Sequence, residues 1–363
     1  MMTGAWTKTD VAASEWTIDD EVMRLRQWGT DTIIRNLPVP PVGDWTVGSS
    51  EDCALQLHDP SGRVSRVHAS LVHDRTRWLL RDLGSKNGVR LDGARRAEIV
   101  LEPGIEIGIG GLTLIAESRR SVMLRGFLAR LLGWRSDRTE VVDHALRSIR
   151  MAATRRVALV LCGEGDLVPT AGSIHRHALG DDPPFVVCDP RRRRVGATVR
   201  SAENYASGMQ ALEAAQGGTL CVRSRRLPRD FEEVVTALRH PDARIQLMVC
   251  AGSPEDCRPF LAVPITIPPL ASRQAELDQI ITEYAEDAIA ELGAPRGGFL
   301  AADRAWVREH AASSLPEIEK ATLRLVAIRN SRNLSNAAAR LRMAPVSLSR
   351  WIGRRRLPMQ VVR

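Results

Sequence analysis

Three kinds of hydrophobic spacing follow one another along the chain. From about Arg24 to Ser118, short apolar runs alternate with turn clusters. The runs are "WTVGS", "ALQLH", "VHASLVH", "WLLRDL", "GVRLDG", "AEIVL" and "IEIGIGGLTLIAES", and the turns include "SSED", "DPSG" and "GSKNG". Short strands at close, regular spacing predict an antiparallel sandwich. The stretch "VMLRGFLARLLGW" at residues 122–134 then places apolar residues at helical spacing, with Arg125 and Arg130 between them. Such a helix can lie on a membrane surface, but packing against a neighbouring domain is its commoner use. "RSDRTE" after it reads as a linker.

From about Val141 to Leu292 the spacing changes again. "VALVLCG", "PFVVCD", "GTLCV" and "IQLMVCAG" are short continuous apolar runs. Helical candidates such as "ENYASGMQALEAAQ", "FEEVVTALRH" and "QAELDQIITEYAEDAIAEL" lie between or after them. Strands alternating with helices predict an α/β layer on a mainly parallel sheet. The last segment reads as helices throughout. "SLPEIEKATLRLVAIRN" opens on Ser314, with Pro316 in its first turn and Glu317 three residues on, which is a capping pattern. "LSNAAARLRM" and "VSLSRWIGRRR" follow around a short "MAP" turn, with Ser335 as the expected N-cap.

The chain of 363 residues has room for two or three domains, and 44% hydrophobic residues can fill their cores. No apolar run approaches the ~18 residues of a membrane span. The N-terminal stretch does not read as a secretory signal. The six cysteines form no CxxC pair, so the expectation is a reduced, cytoplasmic protein. Cys162, Cys188, Cys221 and Cys250 each stand near the end of an α/β strand. A metal or redox cluster is one reading of them. Small buried hydrophobes is the other, and it agrees better with the missing ligand spacing. Neither a metal nor a cofactor is expected.

Charge adds more. The net charge is +8, yet the 44 residues from Lys320 onward hold eleven basic residues and no acidic one. The other 319 carry 40 basic and 43 acidic residues. A local excess of this kind points to a polyanion, most often nucleic acid, with a solvated basic tail as the alternative. Two short helices joined by a tight turn form the helix-turn-helix unit. In it Ala338 allows a close crossing, while Leu341, Val346 and Leu348 form the seam. Ser347, Ser349, Arg350 and Arg354 are then exposed toward base edges, and Arg340, Arg355 and Arg356 suit phosphates.

"NAAARLRMAPVSLSRWIGRR" resembles the Fis-type helix-turn-helix that ends bacterial enhancer-binding activators. Arg342 stands where that family's turn usually has Gly, so a left-handed or otherwise altered turn is expected at a non-Gly residue. Such domains bind duplex DNA as dimers on paired half-sites.

"GRVSRVHASLVHD" and "LRDLGSKNGVRLDG" resemble the forkhead-associated (FHA) domain, a β-sandwich whose loops read phosphothreonine. The resemblance assigns the phosphate to Ser65, Arg66 and Lys86, the peptide backbone to Asn87, and a scaffold role to His68. The family's phosphate-gripping Arg after Gly48 is Ser49 here, so one cation is missing from the site.

The middle segment resembles the AAA+ domain of the sigma-54 activators of NtrC type. The resemblance rests on Gly163-Glu164, "SIHRHAL", "PPFVVCD", "AAQGGTLCV" and "FLAVPITIPPLASRQAELDQII". That family hydrolyses ATP and contacts a sigma factor of RNA polymerase. A phosphate loop needs a Lys for the β/γ-phosphates, and the chain has no Lys between Lys86 and Lys320. Val168 and Pro169 stand where Gly-Lys would be. Arg223-Ser224 replaces the metal-binding Asp-Glu, the sigma-contacting "GAFTGA" loop is absent, and Glu317 lies near the place of the Arg sensor.

The sequence therefore predicts a multidomain protein that is not an enzyme. Its parts are an all-β FHA sandwich (residues 1–120), an amphipathic helix and linker (121–140), a degenerate α/β AAA+-like domain (141–313) and an all-α helix-turn-helix domain (314–363). The expected partners are double-stranded DNA, a Thr-phosphorylated protein, RNA polymerase or a sigma factor, and further copies of the chain in a dimer or larger oligomer. The rival readings are an ATP-driven sigma-54 activator and a phosphopeptide-binding adaptor.

Overall fold

The computed structural model describes residues 21–37, 43–74, 77–155, 157–180, 182–192, 202–240, 242–260, 262–355 and Leu357. Contacts divide the chain into two compact units, residues 1–155 with 177–179, and residues 156–176 with 180–363.

In the first unit two sheets face each other. One orders its strands β2 (Ile33–Asn36), β1 (Val22–Gln27), β11 (Leu112–Ser118), β10 (Glu106–Ile109), β7 (Val89–Leu91) and β8 (Ala94–Arg96). The other runs β4 (Leu55–Gln56), β3 (Trp45–Gly48), β5 (Ala69–His73), β6 (Trp78–Asp82) and β9 (Glu98–Val100). All pairings are antiparallel except β3 with β4. Val47, Leu71, Trp78, Leu80, Ile107, Ile109 and Leu114 fill the core between the sheets. Their every-second-residue spacing is the alternation that marked the strands in the sequence. The β7–β8 hairpin turns on Asp92-Gly93, both at positive φ, as a two-residue turn with the strands' own twist requires.

Two helices belong to this unit, α1 (Arg119–Leu132) and α2 (Thr139–Arg155), with a 3₁₀ turn at Ser136–Arg138 between them. Leu124, Phe127, Leu128, Leu131 and Leu132 of α1 are buried, and the helix packs on α2 and β11. The apolar stripe is thus core and not a membrane-facing surface. The stretch read as a linker is the 3₁₀ turn and the first turn of α2, and residues from Val141 to Arg155 group with the sandwich.

A buried ion network fastens these helices. Arg26 of β1 is 1% exposed. Its guanidinium donates to Glu117 at 2.7 Å and to both Asp143 oxygens at 3.0 and 2.6 Å. Asp143 also accepts from the Gly29 amide at 2.8 Å, and Glu117 from Arg24 at 2.7 Å. Burial alone would lower the Arg26 pKa. The hydrogen bonds and charges of Asp143 and Glu117 outweigh it and hold the pKa above its ordinary value.

The second unit is mixed α/β and helical. Its sheet orders β14 (Glu203–Tyr205), β13 (Phe185–Cys188), β15 (Thr219–Arg223), β16 (Gln246–Ala251), β12 (Leu159–Cys162) and β17 (Ile265–Thr266), and every pairing is parallel. β12 is buried at all four positions, so it reads as a continuous apolar run, as a strand covered on both faces must. The helices are α3 (Val168–Leu179), α4 (Gly208–Ala214), α5 (Phe231–Leu238), α6 (Pro254–Cys257), α7 (Leu277–Glu291), α8 (Ala301–His310), α9 (Leu315–Arg329), α10 (Leu334–Arg340) and α11 (Pro345–Arg354). "ENYASGMQALEAAQ", read as one helix, begins instead as strand β14. Ser207 accepts from the Gln210 amide and so starts α4 only at Gly208. All six cysteines are buried and unbridged. Burial pushes the thiols of Cys188 and Cys257 up to about 12, which suits the reading of them as small hydrophobes. Among the described residues no helix is long and apolar enough to cross a membrane.

Candidate functional site

Three loops meet at one end of the sandwich, and close backbone approach sets their geometry. The Gly48 Cα lies so near the Ser65–Arg66 loop that a Cβ would stand 2.1 Å from the Arg66 carbonyl oxygen. The absent side chain lets the Ser49 and Ser50 amides donate to the Ser65 and Arg66 carbonyls at 3.0 and 3.1 Å. His68 is fully buried beneath. Its Nδ1 accepts from the Ser65 amide at 3.0 Å, so its proton sits on Nε2, which faces the Ser85 Oγ at 2.9 Å and the Gly88 carbonyl at 3.3 Å. Ser85 also donates to Asp82 at 2.5 Å and accepts from the Gly88 amide at 3.0 Å. His68 therefore joins the 65–68 loop to the 85–88 loop, the scaffold role expected of it.

The predicted phosphopeptide residues lie on this frame. The Ser65 Oγ accepts from the Lys86 amide at 3.3 Å and keeps its own proton to donate. Arg66 and Lys86 are exposed. The Asn87 amide nitrogen donates to the Arg63 carbonyl at 2.7 Å. The Ser49 hydroxyl donates back to the Val64 carbonyl at 3.3 Å, so it secures the loop and does not reach outward as the missing Arg would. Two exposed cations went unassigned from the sequence, Arg63 and Arg95. Arg63 stood inside the quoted "GRVSR". Arg95 comes from β8, lies over Gly88 and donates to the Lys86 carbonyl at 2.9 Å, a contact that only the hairpin's folding creates.

Asp59 holds the start of the loop. Burial works against its charge, but the Ser61 hydroxyl and the Gly111, Ser61 and Arg63 amides outweigh it and hold its carboxyl down at about 2. This support is complete above pH ~4 and is lost as the pH falls through about 2. Hydrogen exchange at the Arg63 and Gly111 amides is expected to be slow for the wild type at pH 4–7 and fast for Asp59→Ala across that range. Equal protection in the two proteins would show that Asp59 does not hold the loop.

The C-terminal helices form the second candidate. Asn333, and not Ser335, caps α10, accepting from the Asn336 amide at 2.8 Å. Asn caps as well as Ser, and it stands where the chain is still extended. Ala337 and Ala338 are buried, and Leu341 and Leu348 close the seam. Val346 is 54% exposed and lies outside it. Arg342 takes φ 46°, the left-handed one of the two turn geometries left open at this position. Its amide and that of Met343 close the end of α10 at 2.9 and 3.0 Å. Trp351 anchors the back of α11, packing edge-on against Trp306 of α8 at 5.7 Å with the Arg324 guanidinium 5.0 Å from its ring.

Ser347, Ser349, Arg350 and Arg354 are exposed on α11, and Ser335 and Arg342 are exposed before it. By the 100° helical step Val346, Ser347, Arg350 and Arg354 share the face away from Leu348. Two predicted phosphate contacts are engaged elsewhere. Arg340 donates to the carbonyls of Asn330, at 2.6 Å, and Leu292, closing the ends of α9 and α7. Arg355 pairs with Glu317 and donates to the His310 carbonyl at 3.0 Å. Arg356 lies outside the described residues.

At the carboxyl edge of the parallel sheet the chain neutralises itself. The Asp166 carboxylate accepts from the Val168 amide at 3.3 Å, at the opening of α3. Arg223, at the end of β15, donates to Asp166 at 2.8 and 3.1 Å and to the buried Asp189 at 2.9 Å. The corner after β12 thus carries its own paired anion at the opening of α3. His175 of "SIHRH" faces the Thr219 hydroxyl at 2.8 Å and the Pro183 carbonyl at 2.9 Å.

Residues 45–110 match the family model of the FHA domain. Among solved structures, the chain is 28% identical to one described as a structural and functional analysis of phosphothreonine-dependent FHA domain interactions. That match covers 26% of this chain and 92% of the other, with a TM-score of 0.23. It is 31% identical to the FHA-2 domain of a Mycobacterium tuberculosis ABC transporter, over 22% of this chain and 73% of that one (TM-score 0.19). It is 25% identical to Mycobacterium tuberculosis EmbR in complex with a low affinity phosphopeptide, over 30% of this chain and 28% of that one (TM-score 0.25). No curated protein matches the chain.

Proposed function

The chain carries an FHA domain at residues 45–110, and we propose that it is a transcription regulator. The FHA loops bind a Thr-phosphorylated protein, and the C-terminal helices hold duplex DNA. The observation that carries the DNA half is the acid-free face of α11, with Arg350 and Arg354 exposed beside Ser347 and Trp351 pinned behind. A helix fixed at its back and cationic at its front suits a major groove. Its four-residue turn after α10 supports the same reading.

In the phosphopeptide half, Ser65, Arg66 and Lys86 supply one hydroxyl and two cations to a group of about −2 charge. Arg63 and Arg95 add positive charge in place of the Arg missing at position 49. Hydrogen bonds to a charged group contribute ~1.5–3 kcal/mol each. Ser65→Ala is therefore expected to weaken a phosphothreonine peptide about tenfold to a hundredfold. Asn87→Ala is expected to weaken it less and to affect phosphorylated and unphosphorylated peptides alike. Calorimetric titration of the full chain checks both, and wild-type binding indifferent to the phosphate would refute the reader role.

The α/β part is proposed to scaffold or oligomerise without hydrolysing ATP. The Asp166–Arg223 pair supports this, because it fills with protein charges the place where nucleotide phosphates and their metal would be held. ATP turnover by the full chain that disappears in Arg223→Ala would overturn it.

A further inference from the structure

The phosphopeptide loops hold more positive charge than one phosphothreonine can use. Arg63, Arg66, Lys86, Arg95 and Arg96 are all exposed at this end of the sandwich, and among the described residues none of them forms an ion pair. The acids nearby are engaged elsewhere. Asp59 binds the Ser61 hydroxyl and the Ser61, Arg63 and Gly111 amides. Asp82 accepts from Ser85, and Glu98 pairs with Arg81. Glu51 and Asp52 follow Ser50, whose amide binds the Arg66 carbonyl, so they stand on the Arg66 side of the loops.

Arg95 is the informative residue. In the β7–β8 ladder it stands directly across from Arg90, a pairing of like charges that works against stability. Its stem lies over Gly88, where a Cβ would come within 3.1 Å of its Cδ and Nε. Gly88 also takes φ 70°, so the loop is shaped to admit the arginine. One Nη donates to the Lys86 carbonyl at 2.9 Å. That bond fixes one edge of the guanidinium and leaves its other donors open. Arg63 reaches the same place from the facing loop. Its carbonyl accepts from the Asn87 side chain at 2.7 Å, so its own exposed side chain starts beside Asn87. Asn87 is thus bracketed by Arg63 on one side and by Arg95, bound at Lys86 and lying over Gly88, on the other.

We propose that Arg63 and Arg95 bind a second acidic group of the phosphopeptide, carried by a residue flanking the phosphothreonine. The inference rests on the phosphopeptide reading, in which Ser65, Arg66 and Lys86 take the phosphate and Asn87 takes the backbone beside it. Peptide held at Asn87 then passes between the two guanidiniums. A carboxylate and a second phosphate both match the guanidinium fork. The partner segment is accordingly acidic or multiply phosphorylated, and not a lone phosphothreonine among neutral residues.

The test is calorimetric titration of the full chain at low salt with three sets of phosphothreonine peptides. In the first every flanking residue is Ala. In the second Glu, or Gln as its neutral control, replaces one flanking Ala at a time. In the third a second phosphothreonine does so. At one flanking position an acidic residue is expected to tighten binding about threefold to tenfold over Ala, the range open to exposed but charge-assisted pairs. The gain should shrink as salt screens it, and Gln should give none. Arg95→Gln should remove most of the gain and Arg95→Lys only part of it. Both should bind the Ala-flanked peptide within about threefold of the wild type. A gain from Glu marks a carboxylate-bearing partner, and a gain from phosphothreonine alone marks a doubly phosphorylated one. Phosphate-dependent binding of the Ala-flanked peptide with no gain from any acidic flank would overturn this proposal and leave the reader role standing. So would a gain that survives Arg95→Gln intact. Where Arg95→Gln also loses the Ala-flanked peptide, the loop has loosened and Arg63→Gln decides, an intact gain there overturning the proposal. Failure of every phosphorylated peptide to bind would overturn this proposal and the reader role together.

Discussion

Asp143→Ala is expected to destabilise the FHA-bearing unit by about 3–5 kcal/mol, the usual cost of stripping one partner from a buried ion pair. Arg26 would keep Glu117, but it would lose its bidentate partner in a place where it is 1% exposed. The Gly29 amide would lose its acceptor as well. Hydrogen exchange of the β1 and β11 amides under mild urea reads the effect without assuming that the whole chain unfolds in one step. The double variant Arg26→Met/Asp143→Leu should recover much of the loss, because Glu117 retains Arg24 at 2.7 Å and apolar groups tolerate the buried site. A cost below about 1 kcal/mol for Asp143→Ala would mean that α2 is not fastened to the sandwich as described.

Arg350→Glu/Arg354→Glu is expected to lower the affinity of the full chain for duplex DNA by at least about a hundredfold at low salt. Each lost charge-assisted contact is worth ~1.5–3 kcal/mol, and reversal adds repulsion from the phosphates. The slope of log affinity against log salt should flatten by about 2, one counterion for each phosphate no longer neutralised. Arg340→Ala should behave differently. Its guanidinium binds the Asn330 and Leu292 carbonyls, so its loss should loosen the helical packing and leave the salt slope nearly unchanged. Fluorescence anisotropy with a labelled duplex at several salt concentrations separates the two effects. A flattened slope for Arg340→Ala with unchanged stability would group that residue with Arg350 and Arg354.

These contrasts show which features the sequence made legible. Backbone-dictated residues were readable in advance. The FHA loops follow from Gly48, Ser65, His68 and Asn87 in order, because close approach and buried hydrogen bonds constrain residue type. At Arg342 the sequence left a left-handed or an altered turn open, and the chain takes the left-handed one. The parallel strands were visible as short apolar runs, since burial on both faces removes alternation.

What stayed hidden was pairing at long range. Arg26 looks like a solvent-facing strand residue until Asp143, 117 positions away, covers it. That coverage also places α2 with the sandwich, where local spacing divided it between a linker and the α/β segment. Arg340 and Arg355 had the right charge and neighbourhood for phosphates, but nothing in the sequence shows that carbonyls and Glu317 occupy them. Asn333 displaced Ser335 as the α10 cap because two equally good cap residues stood two positions apart. Val346 has seam chemistry but falls on the exposed face, a shift that one helical step decides.

The proposed function has one chain couple a phosphothreonine reader to a DNA-binding helix. Genome-wide mapping of DNA occupancy by the full chain, in cells with and without Thr phosphorylation of its partner protein, tests this coupling. Discrete sites are expected that vanish in Arg350→Glu/Arg354→Glu and whose occupancy changes with Thr phosphorylation in the wild type but not in Ser65→Ala. Occupancy no different from background, or sites that survive the loss of both arginines, would contradict it.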